Sequence, residues 1–183
     1  MTALDFFARW RVRLGYLLAI VTLWLARPTP RSIFLGGLVG LAGLAIRAYA
    51  AGYLHKQEVL TMTGPYARTR NPLYFGSSIL AVGAALAMHS VWAAALLLVY
   101  FALVYSMVMR REEMELRRQH GAAFDRYAMS VPLFLPRLLS KASAATGSAG
   151  FSWNQYKKNH EYQAAMGFVL LLMGLLVIWR LRA

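Results

Sequence analysis

The sequence predicts an all-α, polytopic integral membrane protein with about five transmembrane helices. Hydrophobic residues make up 59% of the 183 residues, above the roughly 45–50% apolar content of an ordinary soluble domain. These residues occur in long blocks, as membrane spans require. Lys and Arg number 20 against 7 acidic residues, and they flank the apolar blocks, where they can contact anionic lipid headgroups. We therefore expect membrane lipids as partners.

Composition also excludes several kinds of site and partner. The chain has no cysteine, so disulfides, thiolate ligands and cysteine nucleophiles are ruled out. No basic tract stands apart from the apolar segments, so we expect no nucleic-acid partner. The histidines show no pair at metal-ligand spacing, and we expect no metal site. They are His55, His89, His120 and His160.

Two apolar segments open the chain. The first, Leu14–Ala26, is predicted to be an uncleaved span, because Trp24 stands where a signal-peptide cleavage site needs a small residue. The second, Ile33–Leu54, carries four glycines at helical spacing, which predict close approach of another helix. These glycines are Gly36, Gly37, Gly40 and Gly43.

Arg47 lies inside the second span, and a charged side chain in a membrane helix is a candidate functional residue. A snorkelling arginine near the interface is the alternative. If the helix continues, Arg47 and Glu58 share one face. Arg47 could then line a site that Lys56 also reaches.

Two further spans, Leu73–Ser90 and Val91–Met109, are interrupted only at His89-Ser90. So short a connection predicts an antiparallel helical hairpin over residues 73–109. The polar stretch Gly64–Asn71 and the segment after Met109 must then emerge on the same side of the membrane.

The segment after the hairpin, residues 110–129, is predicted to be a polar helix leaving the bilayer. It holds four of the seven acidic residues, and two interpretations stand. Glu113 and Arg117 have the i,i+4 spacing of a solvated, salt-bridged helix. Alternatively, the acidic cluster faces Arg68 and Arg70. An extended strip, Val131–Pro136, follows.

The rest of the chain is predicted to be a linker and a last helix. We expect one domain over residues 1–183, with a core at 33–139, a linker at 140–163 and a C-terminal hydrophobic helix at 164–179. The linker begins with small, low-complexity residues and ends in an aromatic, basic interfacial segment. From the excess of Lys and Arg we expect the N-terminus, residues 55–72 and residues 110–163 to lie on the cytoplasmic side.

The stretch Gly64–Gly76 is the most informative part of the chain: Gly-Pro-Tyr-Ala-Arg-Thr-Arg-Asn-Pro-Leu-Tyr-Phe-Gly. Both prolines follow turn residues, and Pro72 can open a helix without losing a hydrogen bond. Arginines and tyrosines therefore lie on irregular backbone beside a membrane helix. This arrangement suits an anionic, partly aromatic ligand, although a loop that only contacts lipid headgroups is also consistent with it.

Several spaced elements resemble the isoprenylcysteine carboxyl methyltransferase and phospholipid methyltransferase group of integral membrane enzymes. The resemblance runs from about residue 47 to residue 136. Its elements are Gly64-Pro65-Tyr66, Arg70-Asn71-Pro72-Leu73-Tyr74-Phe75-Gly76, Glu112-Glu113, Tyr127 and the strip from Val131-Pro132 to Pro136. Asn71 stands where the family pattern usually has histidine, and an asparagine side chain cannot act as the titrating base that a histidine would supply.

The resemblance implies S-adenosylmethionine as cofactor, with S-adenosylhomocysteine as product, in a pocket that faces the cytoplasm. The methyl acceptor would be lipophilic and membrane-borne, either an isoprenylcysteine-type carboxylate or a phospholipid amine. The implied catalytic residues are Arg70, Glu112 and Glu113. The implied cofactor-binding residues are Lys56, Gly64, Pro65, Tyr66, Arg70, Asn71, Pro72, Tyr74, Gly76 and Glu113. For the acceptor we expect Arg47, Glu58 and Tyr127.

The chemistry depends on the acceptor. Methyl transfer from an activated sulfonium needs mainly alignment and a preorganised site. Arg70 could hold a carboxylate acceptor, whereas a protonated amine needs a base, for which Glu112 or Glu113 could serve.

Two other functions fit parts of the sequence. One is a membrane reductase related to sterol reductases, which would bind NADPH. The other is a non-enzymatic transport or scaffold protein, with Arg47 and Glu58 as a charge relay. The identity of the acceptor and the oligomeric state stay open at this stage.

Overall fold

A computed structural model describes residues 3–55, 59–137 and 150–182, and over these residues the chain is helical with no strand. The predicted all-α class is confirmed. Lys56, Glu58 and most of the predicted small-residue linker lie outside the described residues. The helices are α1 (Ala3–Leu25), α2 (Pro30–Tyr53), α3 (Pro72–Met88), α4 (Val91–His120), α5 (Ala122–Ser130), α6 (Trp153–Lys158) and α7 (Tyr162–Arg182), with a 3₁₀ turn at Gly64–Ala67.

Three of these helices, α2, α4 and α7, are long and apolar enough to cross a membrane. Two shorter apolar helices, Leu14–Leu25 and Pro72–Met88, correspond to the other two predicted spans. The protein is therefore an integral membrane protein by length and composition of its helices.

The predicted hairpin is confirmed in its connection, because α3 ends at Met88 and α4 begins at Val91. His89 in the turn has a φ of 48°. Pro72 is the first residue of α3, where a proline loses no helical hydrogen bond.

The single polar helix predicted for residues 110–129 is wrong in one respect. Its first part is the uninterrupted continuation of α4 to His120, and the helix breaks at Gly121 before α5 begins. Gly121 has a φ of 51°, a conformation that glycine adopts without the steric cost of a Cβ.

The described chain divides into two compact units. The first comprises Met1–Leu41, Ile79–Val108 and Gly167–Ala183, and the second comprises Ala42–Ser78 and Met109–Met166. In the first unit, a buried cluster of small and apolar side chains forms the core. Its members are Ala26, Ala87, Met88, Ala93 and Leu175.

Glycines set the helix packing of the first unit, as the sequence predicts. A Cβ on Gly36 would collide with the carbonyl of Gly83, and a Cβ on Gly40 would collide with the ring of Phe168. At the carboxyl end of α1, the Arg182 guanidinium donates to the carbonyl oxygen of Trp24 at 3.1 Å and to that of Ala26. The C-terminal arginine thus satisfies carbonyls that a helix end leaves free.

Candidate active site

All residues of the candidate site belong to the second unit, where two chain segments distant in sequence pair through their backbones. The N–H of Arg70 donates to the carbonyl of Pro132 at 2.9 Å, and the N–H of Arg137 donates to the carbonyl of Arg68 at 3.0 Å. The predicted strip after α5 therefore runs beside residues 68–71, which we call the arginine loop. These bonds fix the backbone from which the Arg70 side chain projects.

Side chains of the loop reinforce this pairing. The Thr69 hydroxyl, almost fully buried, donates to the carbonyl of Phe134 at 2.9 Å. The Asn71 amide donates to the carbonyl of Leu133 at 3.0 Å. Asn71, which stands where the family pattern has histidine, is therefore engaged in holding the loop in place.

The hairpin brings the arginine loop to the polar end of α4. Arg70 forms an ion pair with Glu113, and the two side chains are 15% and 24% exposed. The alternative pair between Glu113 and Arg117 does not form, because Glu113 pairs with Arg70 and Arg117 pairs with Asp125 at 2.7 Å. Of the two interpretations of the acidic cluster, the structure supports the one in which it faces Arg70.

A second contact joins the start of α3 to the same end of α4. The Tyr74 hydroxyl, in the first turn of α3, donates to the carboxylate of Glu112 at 2.5 Å. Adjacent glutamates of α4 thus hold the loop and the start of α3 at two points.

The segments enclose a cavity of about 310 Å³, at the lower end of the range for small-molecule sites. Its walls combine three carboxylates, one arginine and two histidines with tyrosine, phenylalanine and aliphatic side chains. The lining residues are Leu54, His55, Val59, Leu60, Thr61, Tyr66, Arg70, Asn71, Glu112, Glu113, Glu115, Leu116, Gln119, His120, Phe124 and Tyr127.

Two tyrosines supply buried hydroxyls at this cavity. The Tyr127 hydroxyl donates to the carbonyl of Tyr66 at 2.7 Å. The Tyr66 hydroxyl is buried and has no hydrogen-bond partner among the described residues, and the same holds for Nε of Arg70. Burial raises the pKa of the Tyr66 and Tyr127 phenols far above their usual value. Both hydroxyls therefore keep their protons and can donate.

Six of the predicted site residues line the cavity, and six others do not. Those that line it are Tyr66, Arg70, Asn71, Glu112, Glu113 and Tyr127. The described residues that lie outside the lining are Arg47, Gly64, Pro65, Pro72, Tyr74 and Gly76. Lys56 and Glu58 are not among the described residues.

The two glycines of the motif are placed where a side chain would collide with neighbouring groups. Gly64 has a φ of 59°, and a Cβ there would lie 2.6 Å from the ring of Tyr53. Gly76 lies against α2, where a Cβ would lie 2.9 Å from the carbonyl oxygen of Gly43. In the structure these glycines let the loop and α3 approach α2.

Arg47 is part of a separate polar cluster. Its guanidinium pairs with Glu161, with Nη2 and Oε2 3.0 Å apart, and it also donates to the Ser77 hydroxyl. Glu161 is only 7% exposed. The sequence interpretation missed Glu161, because it lies in a segment dominated by aromatic and basic residues.

Sequence reasoning also missed most of the α4 wall. The cavity-lining residues of α4 after Glu113 follow helical spacing from Glu112, namely Glu115, Leu116, Gln119 and His120. Positions three, four, seven and eight residues after Glu112 lie on the same helical face, so helical periodicity alone could have identified these residues. His55 was missed because it had been considered only as a metal ligand. In the described part of the chain, no group of three or more His, Asp or Glu residues could hold a metal ion.

Comparisons with known proteins place these features in context. The family model for phospholipid methyltransferase matches residues 10–123. Over 114 residues the chain is 37% identical to the nickel-cobalt-cadmium resistance protein NccN of Alcaligenes xylosoxydans xylosoxydans, covering 59% of this chain and 53% of that protein. Over 137 residues it is 33% identical to the cobalt-zinc-cadmium resistance protein CzcN of Cupriavidus metallidurans, covering 70% of this chain and 62% of that protein.

The matched region spans less than two thirds of the length of either relative. No solved structure gives a significant match.

Proposed function

The chain belongs to the phospholipid methyltransferase family, and from that premise we propose that it transfers a methyl group from S-adenosylmethionine to a lipophilic acceptor in the membrane. The observation that carries this proposal is the cavity lined by the arginine loop, α4 and α5. It combines the Arg70–Glu113 ion pair with the buried hydroxyl of Tyr66, which has no hydrogen-bond partner among the described residues. Buried donors without partners are unusual, and a ligand that accepts from them accounts for them.

The residues present fit S-adenosylmethionine. Arg70 would hold the carboxylate of its amino-acid end, and Tyr66 would donate a hydrogen bond to an acceptor atom. Glu112 and Glu113 would favour its positively charged groups. When bound, this group supplies an activated methyl on a sulfonium. The protein aligns the partners and keeps water out.

The charge balance of the cavity favours an amine acceptor over a carboxylate. Among the described lining residues, three glutamates face a single arginine, and Arg70 already pairs with Glu113. A second anion would meet uncompensated negative charge, whereas an ammonium group is attracted. We therefore propose a phospholipid amine as the acceptor class.

The proposed orientation follows from the basic residues at the end of α4. Under the positive-inside rule, this end and the cavity beside it face the cytoplasm. These residues are Arg110, Arg111, Arg117 and Arg118. S-adenosylmethionine would then enter from the cytoplasm, and the acceptor from the bilayer.

The test is transfer of a labelled methyl group. The purified protein is reconstituted in vesicles of phosphatidylethanolamine and phosphatidylcholine and given methyl-labelled S-adenosylmethionine. We expect label in the lipid fraction, and a loss of about a hundredfold in rate for Arg70→Ala and for Glu113→Ala, because the ion pair aligns the site. Arg118→Ala, on an exposed side chain of the same helix, should keep the rate.

Label that never enters the lipid of these vesicles would contradict the amine acceptor. Transfer that is equally fast in Arg70→Ala and Arg118→Ala would contradict the site.

A further inference from the structure

His55 lines the cavity, and the mechanism above gives it no role. It follows the carboxyl end of α2, and its Nδ1 lies 3.0 Å from the carbonyl oxygen of Tyr53. A carbonyl oxygen can only accept, so Nδ1 must carry the proton of this hydrogen bond. In the neutral ring, Nε2 is then the nitrogen with a free lone pair. The hydrogen bond thus selects a tautomer that can take up a proton at Nε2.

The backbone around His55 is held on both sides. Its N–H donates to the Thr61 hydroxyl at 3.3 Å. The carbonyl of Leu54 accepts from the Asn159 amide at 2.9 Å. A residue fixed in this way can present its ring to a ligand with little further loss of freedom.

Each of the three carboxylates of the cavity is already engaged with another side chain, by an ion pair or by a hydrogen bond. Glu113 is paired with Arg70, and Glu112 accepts from Tyr74. The third, Glu115, accepts from the Gln119 amide at 2.7 Å. In the described part of the chain, Nε2 of His55 has no such bond.

We propose that His55 is the general base of the reaction, an inference that rests on the proposed function with an amine acceptor. Nε2 takes a proton from the ammonium group and becomes positively charged. The freed nitrogen lone pair forms the bond to the methyl carbon, while the methyl–sulfur bond breaks and its electrons stay on sulfur as a thioether. The product is a methylated ammonium, and the proton on Nε2 then leaves to solvent.

The charged groups that line the same cavity suit this step. Three glutamates, Glu112, Glu113 and Glu115, line the cavity together with His55, and the charge of Arg70 is offset by its partner Glu113. The other titratable groups that line the cavity are His120, Tyr66 and Tyr127. The phenols of the two tyrosines stay neutral.

The test compares four histidine variants in the same phosphatidylethanolamine vesicles. We expect His55→Asn to lower kcat about a hundredfold or more, within the usual range for a lost general base. The acid limb of its profile of kcat/KM against pH should also move to higher pH, because the variant can use only acceptor molecules whose amine is already neutral. Its affinity for S-adenosylhomocysteine, measured by calorimetry, should stay within about twofold, because the base acts on the acceptor.

His89→Asn and His160→Asn are the matched controls. Both residues lie outside the cavity and have positive φ angles, 48° and 53°, which asparagine tolerates better than most residues. Both variants should keep the rate and the acid limb. Nitrogen NMR of histidine-labelled protein gives a readout that does not depend on turnover. The signal of His55 is assigned as the one that disappears in His55→Asn. In the wild type this signal should show the Nδ1-protonated tautomer.

Three outcomes overturn the proposal. The first is unchanged kcat in His55→Asn while the wild type is active. The second is a shift of the acid limb in His120→Asn and an unshifted acid limb in His55→Asn, which would assign the proton to His120. The third is an Nε2-protonated ring for His55. A wild type that binds S-adenosylhomocysteine but transfers no methyl group to phosphatidylethanolamine contradicts the proposed acceptor, and the base with it.

Discussion

Arg70 contributes both to the backbone pairing of the loop and to the lining of the cavity. Its N–H is bonded to Pro132, its guanidinium pairs with Glu113, and its Nε is buried without a partner in the described structure. The sequence motif predicts Arg70 and Glu113 as neighbours because the hairpin returns the chain to the same side. The motif does not predict that Glu113 pairs with Arg70 in preference to Arg117, because the i,i+4 rule describes contacts within one helix only.

Substitution of Tyr66 tests the role of a single buried hydroxyl. Tyr66→Phe removes a buried hydroxyl that has no partner in the described structure. The ligand-free protein should therefore unfold at the same temperature or slightly higher, because an unsatisfied buried group costs about 1–3 kcal/mol. S-adenosylhomocysteine should bind about two- to tenfold more weakly, as for the loss of one hydrogen bond.

Thermal unfolding in detergent and calorimetry measure these two quantities. Tyr127→Phe is the contrasting variant, because its hydroxyl holds the carbonyl of Tyr66, and it should lower the unfolding temperature. A lower unfolding temperature in Tyr66→Phe with unchanged affinity would mean that the hydroxyl serves the fold alone.

The carboxyl end of α2 shows what cannot be predicted from sequence at the scale of one element. Its free carbonyls are satisfied by a segment about a hundred residues later: Ser152 N–H donates to Gly52 at 3.0 Å, and the Asn159 amide donates to Ala51 at 2.9 Å. Residues after 123 lie outside the family match. Capping rules describe local partners, so no pattern near α2 indicates this contact.

The Arg47–Glu161 pair belongs to the same segment and can be tested directly. Glu161→Gln leaves the Arg47 charge, which is 18% exposed, without its anionic partner, and we expect a loss of about 3 kcal/mol in the free energy of unfolding. The control is Asp125→Asn, which breaks the exposed Arg117 pair and should cost less than about 1 kcal/mol. Denaturant unfolding in detergent gives both values. Equal losses would show that the buried pair adds nothing beyond a surface pair.

At the scale of the whole molecule, composition predicts the five apolar helices, because a bilayer demands long apolar segments. The polar pair His89-Ser90 interrupts the apolar sequence and predicts the connection between α3 and α4, which the structure confirms. The site is only partly predictable. Its motif residues are recognisable, whereas His55 becomes a candidate only when the structure shows which nitrogen is free.

The most direct test of the central claim is calorimetric binding of S-adenosylhomocysteine to the purified protein in detergent, with NADPH measured in parallel. We expect saturable binding of S-adenosylhomocysteine, its loss in Arg70→Ala, its retention in Arg118→Ala, and no binding of NADPH. Binding of NADPH alone would contradict a methyltransferase and favour a reductase. Binding of S-adenosylhomocysteine that Arg70→Ala leaves unchanged would contradict the site described for it.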